Sequence, residues 1–224
     1  MYNTFIFDFD YTLGDSTDGI VQCANYGLEK IGFGACDVET IRKTIGLSLK
    51  NTYEALTGRA DDEEADVFIS AFKEKADEVM TENSCLYEGV KDTLLDMKKK
   101  GYRIGIVTTK YRYRIEQILS KYNALNMVDI IIGGDDVKLE KPAPEGLLMA
   151  VNKLDSSKDD VLYVGDSIVD AKTACNAEIS FAGVLTGTTT REDFEQYPYV
   201  LICEDVIKLA EVVVEQNHSE VSGK

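Results

Sequence analysis

Short apolar runs recur along this chain, and patterns typical of helices separate them. The runs are continuous rather than alternating, which is typical of parallel strands buried on both faces. They occupy residues 5–7, 104–107, 130–132, 161–164 and 181–184, with a shorter run at 200–203. Helical patterns occupy residues 90–100, 113–122, 145–154, 168–175 and 205–214. This alternation predicts an α/β fold with right-handed crossovers between the strands of one parallel, Rossmann-like sheet.

One long stretch breaks this rhythm because it contains helical patterns only. The patterns cover residues 16–31, 38–45, 49–56 and 61–80, and the last begins with an acidic run that suits a helix N-terminus. We therefore predict a helical domain at 14–87, inserted after the first strand of a core domain made of 1–13 and 88–215. The polar end of the chain, 216–224, is predicted to be disordered.

Composition excludes several classes of function. The net charge of -16 argues against nucleic acid or an anionic membrane as a partner. The N-terminal residues lack the pattern of a signal peptide, and no apolar run approaches the roughly 18 residues of a membrane span. The five cysteines are scattered without a C-x-x-C pair, which favours reduced thiols and a cytoplasmic location. Because the only histidine, His218, lies in the polar tail, histidine-based catalysis is not expected.

Two carboxylates, Asp8 and Asp10, follow the first apolar run. Residues two apart in a strand share a face, so both acids are expected at the carboxyl end, where open α/β sheets bind their ligands. Two like charges so close repel each other, and a bound cation or a catalytic role would remove that conflict. Asp-x-Asp also occurs in calcium loops and ordinary turns, so the pair alone leaves both interpretations open.

Polar side chains follow the other predicted strands as well. They are Thr108-Thr109-Lys110, Lys141 before Pro142, and Gly165-Asp166 with Asp170. Each has a simpler interpretation: a strand-end threonine, a solvated lysine, a turn or N-cap acid, or an exposed acid on a helix. The carboxyl ends of parallel strands meet at one edge of a sheet, so the whole set predicts a single site.

Together these motifs resemble the signatures of the haloacid dehalogenase superfamily, in its phosphatase branch with a helical cap after the first strand. The signatures are D-x-D-x-T at 8–12, a threonine at 108, the lysine of K-P at 141, and G-D-x-x-x-D at 165–170. The resemblance extends to about residue 215. It implies a Mg²⁺-dependent phosphatase for a small phosphorylated metabolite, most similar to the phosphoglycolate phosphatases and either monomeric or homodimeric.

The resemblance also implies a role for each acid. Asp8 would be the nucleophile that forms an aspartyl-phosphate, and Asp10 the general acid and then the general base. Mg²⁺ would lie between the side chains of Asp8 and Asp166 and the backbone carbonyl of Asp10. Asp170 would hold the metal directly or through a water molecule.

Further residues of the resemblance concern the substrate. The implied contacts are made by Thr108, Thr109, Lys141, Arg42 and Gly46, with Thr108 and Lys141 holding the phosphate oxygens. Thr109 stands where many relatives have asparagine, and Tyr11 where many have glycine; both are expected to affect substrate fit. A surface salt bridge is the favoured alternative for Arg42, and Gly46 could equally be a helix C-cap.

Asp10 bears on the type of reaction. The dehalogenases of the superfamily lack an acid at this position because a halide leaves without a proton, so Asp10 favours a phosphate ester or anhydride. A β-phosphoglucomutase-like isomerase remains an alternative, as do pyrophosphate and nucleotide monophosphates as substrates. A binding module on this fold is disfavoured, since every reactive residue is present.

Overall fold

The computed structural model describes residues 1–60 and 63–222 and forms two compact units. One unit comprises Met1–Gly14 and Leu86–Lys224, and the other is Asp15–Cys85. The internal bounds therefore lie one and two residues from the predicted 13/14 and 87/88 boundaries. Within the described residues, no helix combines the length and the apolar character needed to cross a membrane.

Strands and helices alternate along most of the described chain. The strands are β1 (Thr4–Phe7), β2 (Gly14–Asp15), β3 (Cys85–Leu86), β4 (Arg103–Val107), β5 (Ile130–Ile132), β6 (Val161–Gly165), β7 (Ser180–Val184) and β8 (Leu201–Cys203). The helices are α1 (Thr17–Lys30), α2 (Val38–Arg42), α3 (Leu49–Thr57), α4 (Glu63–Val79), α5 (Val90–Lys99), α6 (Arg112–Lys121), α7 (Glu145–Lys153), α8 (Ile168–Ala177), α9 (Arg191–Phe194) and α10 (Val206–Ser222). Single 3₁₀ turns lie at Leu125–Met127, Gly134–Asp136 and Lys158–Asp160.

Six of the strands form one parallel sheet in the order β5-β4-β1-β6-β7-β8. The strand β1 is central, with Phe7 opposite Ile106 of β4 on one side and Val164 of β6 on the other. The chain runs outward from β1 to β4 and β5 and then returns to β6 on the other side. The order of connection therefore reverses between β1 and β6, and ligands of open α/β sheets bind at such a switch point. The predicted α/β fold is confirmed.

Both faces of the sheet are buried, which explains why its strands are continuous apolar runs. In β1, Phe5 and Phe7 belong to a core with side chains of α5, α6 and α10. Ile6, which points to the opposite face, belongs to a second core with side chains of α7 and α8. Helices therefore cover each side of the sheet and leave its strand ends for polar residues.

The structure differs from the sequence analysis in two missed features and in one helix end. The chain passes from one unit to the other at β2 and returns at β3, and these two strands pair as a two-stranded sheet. They were missed because strands of two residues leave no apolar pattern in the sequence. The helix α9 was also missed because it has only four residues. The helix α10 continues to Ser222 and so includes most of the segment predicted to be disordered, since extending an existing helix costs far less than starting one. Residues 223 and 224 lie outside the described residues.

The helical unit contains α1 to α4 around its own apolar core. The helices α1 and α4 approach closely at Gly27, where a Cβ atom would lie 2.7 Å from the ring of Phe68. The helix α2 ends at Arg42, three residues before the predicted end at 45, because the Thr44 hydroxyl and amide both bond to the carbonyl of Ile41 in a turn. The predicted start of the last helix, Asp61 and Asp62, lies outside the described residues.

Candidate active site

The first strand delivers Asp8 and Asp10 to the carboxyl edge of the sheet. The amide of Asp8 still donates to the carbonyl of Val164, at 2.8 Å, so the acid is held by the last hydrogen bond between β1 and β6. Both acids are buried, with 2% of Asp8 and 6% of Asp10 exposed. The chain then turns sharply, because Tyr11 adopts a left-handed conformation with a φ of 58°. This conformation explains why glycine is common at that position among the proteins that the sequence resembles.

Lys141 stands between two of the predicted acids. Its Nζ atom lies 2.9 Å from Oδ1 of Asp8 and 2.7 Å from Oδ1 of Asp170. The hydroxyl of Tyr163, on β6, donates to the same Asp170 oxygen at 2.8 Å. Lys141 is 7% exposed, so the alternative of a solvated surface lysine is wrong.

The motif G-D-x-x-x-D is folded so that both of its acids point inward. Ser167 is the N-cap of α8, and its hydroxyl and amide both donate to Oδ2 of Asp170. Asp170 has no exposed surface, which rules out the alternative of a solvated helix acid. Gly165 permits this packing, because a Cβ atom there would lie 2.4 Å from the side chain of Asp170. The glycine of the motif thus has a steric reason.

Asp166 directly follows β6 and reaches toward the loop after the first strand. The hydroxyl of Thr12, the last residue of the D-x-D-x-T motif, donates to its Oδ1 at 3.3 Å. Gly187 approaches the other oxygen so closely that a Cβ atom there would lie 1.9 Å away. The alternative of an N-cap acid is wrong for Asp166, since Ser167 is the cap.

These acids form a compact group of like charges. One oxygen from each of Asp8, Asp166 and Asp170 lies within 4.8 Å of the others. Oδ1 of Asp8, although near Lys141, accepts no hydrogen bond of acceptable geometry from the described residues. A buried carboxylate oxygen that accepts no hydrogen bond destabilises the folded protein unless a cation or another donor binds it. The donor set, oxygen atoms only, is the kind that Mg²⁺ prefers.

Burial dominates the protonation of the group. It raises the pKa of Asp8 to about 7, with Lys141 opposing the shift and the negative charge of Asp170 adding to it. Burial, then Asp170 and Asp8, raise the pKa of Asp166 well above its ordinary value. Burial also opposes the charge on Lys141, but Asp170 and Asp8 outweigh it and raise the pKa of the ammonium group. Lys141 therefore stays charged, and its single positive charge is shared between Asp8 and Asp170.

The strand-end threonines lie on the loop after β4. Thr108 is 4% exposed, and its amide donates to the carbonyl of Ile132 at 3.0 Å, which continues the pairing of β4 with β5. Its hydroxyl accepts from the amide of Lys110 at 3.2 Å, so it also shapes the following turn. Thr109 is half-buried, and its carbonyl lies so close to Gly134 that a Cβ atom there would be 2.5 Å away.

One buried lysine beside the predicted acids, Lys110, was not among the predicted site residues. Nζ of Lys110 donates to both oxygens of Asp10, at 3.0 and 2.7 Å. A lysine shortly after a strand end is usually solvated, so its type and position gave no reason to expect this contact. The only available signal was its place directly after Thr108 and Thr109 in a strand-end motif.

Two of the predicted substrate-binding residues, Arg42 and Gly46, belong to the helical unit. Arg42 forms a half-exposed ion pair with Glu39 at 3.2 Å, consistent with the surface salt bridge that was its alternative. Gly46 has a φ of 91° and lies in the turn after α2, whose C-cap is Lys43. The alternative of a C-cap for α2 is therefore wrong for Gly46.

Comparison with known proteins decides the family. The sequence profile of the haloacid dehalogenase-like hydrolases matches residues 5–184, which include the acids, the threonines and the lysines just described. The chain belongs to the haloacid dehalogenase-like hydrolase family. The resemblance and the fold are thereby confirmed, and the relatives described next add the support that confirms the prediction of a phosphatase-type enzyme.

Several haloacid dehalogenase-like relatives are similar over nearly the whole chain. Pyrophosphatase PpaX of Bacillus velezensis is 32% identical over 193 residues, which are 85% of this chain and 88% of the relative. A crystal structure assigned as a haloacid dehalogenase-like hydrolase, from Bacteroides fragilis, is 43% identical with a TM-score of 0.90, covering 93% of this chain and all of that one. A predicted phosphatase from Clostridium acetobutylicum is 26% identical with a TM-score of 0.88, covering 96% and 99%.

Proposed function

We propose that this chain is a Mg²⁺-dependent phosphatase that hydrolyses a small phosphorylated metabolite through an aspartyl-phosphate on Asp8. The observation that carries the proposal is the buried group of Asp8, Asp166 and Asp170 with Lys141 in contact with Asp8. It lies at the switch point of the sheet, where such folds bind ligands. A nucleophile, a cationic partner and oxygen ligands for a metal are thus present in one place.

The chemistry divides one displacement into two steps. In the first, an oxygen of the Asp8 carboxylate forms a bond to phosphorus while the bond from phosphorus to the leaving oxygen breaks. Asp10 gives its proton to that leaving oxygen. In the second, a water oxygen bonds to phosphorus, the Asp8–phosphorus bond breaks, and Asp10 takes a proton from the water. The first step requires Asp8 as an anion and the second releases it as one, and the adjacent Lys141 ammonium favours that anion.

The metal would be held by Asp8, Asp166 and the backbone carbonyl of Asp10. When bound, Mg²⁺ supplies the positive charge that lets an anionic nucleophile approach an anionic phosphate. Asp170 already accepts hydrogen bonds from Lys141 and Tyr163 through Oδ1 and from Ser167 through Oδ2. We therefore assign it mainly to holding Lys141, with any contact to the metal passing through water.

The remaining assignments concern the substrate. Thr108 and Lys141 would hold the phosphate oxygens, and Thr109 would line the site beside them. Arg42 and Gly46 would contact the rest of the substrate from the helical unit, which we propose to be a cap. The connections at 13–17 and 81–88, which include the paired β2 and β3, would act as its hinges. A cytoplasmic location and a monomeric or homodimeric state stay predictions.

Two substrate classes are favoured. The sequence motifs favour a small phosphate monoester such as phosphoglycolate. Pyrophosphate is the second candidate, because the relative named pyrophosphatase PpaX is 32% identical across 85% of this chain. Both place a phosphoryl group beside Asp8, and they differ in the group that leaves.

Phosphate release from a substrate panel tests the proposal. The panel contains phosphoglycolate, hexose phosphates, pyrophosphate and nucleotide monophosphates, each with Mg²⁺ and with EDTA. We expect one strongly preferred compound, no release in EDTA and recovery when excess Mg²⁺ is added. Release that persists in EDTA would refute the metal assignment, and negligible release from every compound would favour the mutase alternative.

A further inference from the structure

Lys110 is bound to the acid that the proposed reaction uses for proton transfer. Its Nζ atom donates to Oδ1 of Asp10 at 3.0 Å and to Oδ2 at 2.7 Å. Each of the two side chains is only 7% exposed. One ammonium group thus spans both oxygens of one carboxylate, away from bulk water.

The loop that carries Lys110 is fixed on both sides. The amide of Lys110 donates to the hydroxyl of Thr108 at 3.2 Å, and its carbonyl accepts from the amide of Gly134 at 3.0 Å. At Gly133, a Cβ atom would lie 2.8 Å from that carbonyl. The backbone that presents the lysine therefore packs against a glycine pair that admits no side chain, which makes the placement of Lys110 specific.

Stability alone is a weak explanation for this pair. A buried ion pair gains little over apolar residues of similar size, because both charges must leave water. A long lysine side chain also loses conformational entropy when it is held in one position. The two acids of the D-x-D motif nevertheless each have a lysine of their own: Lys141 contacts Asp8, and Lys110 contacts Asp10.

We propose that Lys110 is a positioning residue that fixes the carboxyl group of Asp10 for proton transfer to the leaving oxygen. This inference rests on the proposed function, in which Asp10 acts as general acid and then as general base. Proton transfer requires the acid within hydrogen-bond reach of the oxygen that receives the proton. Because Lys110 contacts both oxygens, a small rotation leaves one of them on the lysine and turns the other toward the leaving oxygen.

The leaving group supplies the test. An alkyl phosphate needs a proton on its departing oxygen, whereas p-nitrophenyl phosphate releases a stable anion and needs little help. For Lys110→Met we expect kcat/KM on an alkyl phosphate to fall by about 10²-fold or more, a typical general-acid contribution. The loss of kcat/KM on p-nitrophenyl phosphate should be smaller by a factor of about ten, because that leaving group needs little proton transfer. KM should change little on either substrate. Lys110→Arg, which keeps the charge and the donors, should recover part of the alkyl activity.

The control is Lys99→Met on α5, where the lysine side chain is 65% exposed. This substitution should leave kcat/KM unchanged on both substrates. When Lys110→Met is added to an Asp10→Asn variant, the ratio of kcat/KM on the two substrates should stay unchanged, because the carboxyl group that Lys110 positions is already gone.

Two outcomes would overturn the inference. Equal losses of kcat/KM on both substrates, or a raised KM with unchanged kcat, would make Lys110 a phosphate-binding residue. If Lys110→Met fails to fold in a thermal melt, Lys110→Gln provides the same comparison. Failure of the unmodified protein to release any phosphate would instead refute the proposed function.

Discussion

Lys141 Nζ lies 2.9 Å from Oδ1 of Asp8, and the two side chains are 4% and 3% exposed. The same nitrogen contacts Asp170, so one ammonium group serves two buried carboxylates. In an interior that disfavours every unpaired charge, this lysine keeps Asp8 near the state in which it can act as a nucleophile.

Replacing Lys141 should reduce both activity and stability. In Lys141→Met, the acids Asp8, Asp166 and Asp170 lose their nearest positive charge, and breaking such a buried pair costs about 3–5 kcal/mol at neutral pH. Turnover should fall by about 10²-fold or more, since a charge aimed at the phosphate is lost. Urea unfolding and phosphate release measure the two effects.

The control for this substitution is Lys158→Met, whose side chain is 42% exposed. It should change stability by less than about 1 kcal/mol, the usual range for a surface ion pair. If Lys141→Met were as stable and as active as Lys158→Met, the charge balance described for the site would be wrong.

Metal-free protein should lose stability as the pH rises through neutrality. The pKa of Asp8 in the folded protein is raised to about 7, mainly by burial, whereas its unfolded value is about 3.9. The stabilising contribution of the protonated acid is therefore complete below the unfolded value and is lost as the pH rises through the folded one. Thermal melts in EDTA at several pH values measure this loss.

Mg²⁺ should reverse that loss, because it binds the ionised acids. The increase in Tm caused by Mg²⁺ should thus be larger one pH unit above the pKa of Asp8 than one unit below it. A matched pair of melts, with Mg²⁺ and with EDTA, gives the increase at each pH. A shift that is independent of pH, or larger at the lower pH, would contradict the assignment of the acids as metal ligands.

Gly165 should tolerate no side chain. A Cβ atom at this position would lie 2.4 Å from Asp170, so Gly165→Ala must displace either the end of β6 or the acid. We expect a destabilisation of about 1–3 kcal/mol, the usual cost of overpacking, together with a loss of turnover. In Gly34→Ala, where no heavy atom would lie within 4 Å of the added Cβ, both quantities should stay close to those of the unmodified protein. Urea unfolding compares the two variants.

The sheet and most of the acids were predictable because their signals are local. A continuous apolar run such as 104–107 indicates a buried strand, and the parallel strand ends then place Asp8, Asp166 and Lys141 at one edge. Most of the helices were predictable from their periodicity to within a few residues, but the four-residue α9 and the end of α10 were not. The two-residue strands β2 and β3 were not, since pairing between residues about 70 positions apart leaves no pattern in either segment.

The contacts that decide the state of each acid were not predictable. Nothing in the residues Thr108-Thr109-Lys110 indicates that the lysine turns inward to Asp10, because that depends on the packing of the loop against Gly133 and Gly134. The four hydrogen bonds that Asp170 accepts could not be predicted for the same reason. Tyr163, Lys141 and Ser167 come within hydrogen-bonding distance of Asp170 only in the folded chain. A motif identifies the reactive side chains, and tertiary packing determines their partners.

The most direct test of the account is phosphate release by Asp8→Asn with Mg²⁺ and the preferred substrate. Asparagine has nearly the same shape as aspartate but cannot attack phosphorus as a carboxylate, so turnover should fall to background while the thermal melt stays cooperative. Asp159→Asn, an exposed acid beside β6, should keep full activity. Turnover in Asp8→Asn comparable to that in Asp159→Asn would show that Asp8 is not the nucleophile and would contradict the account.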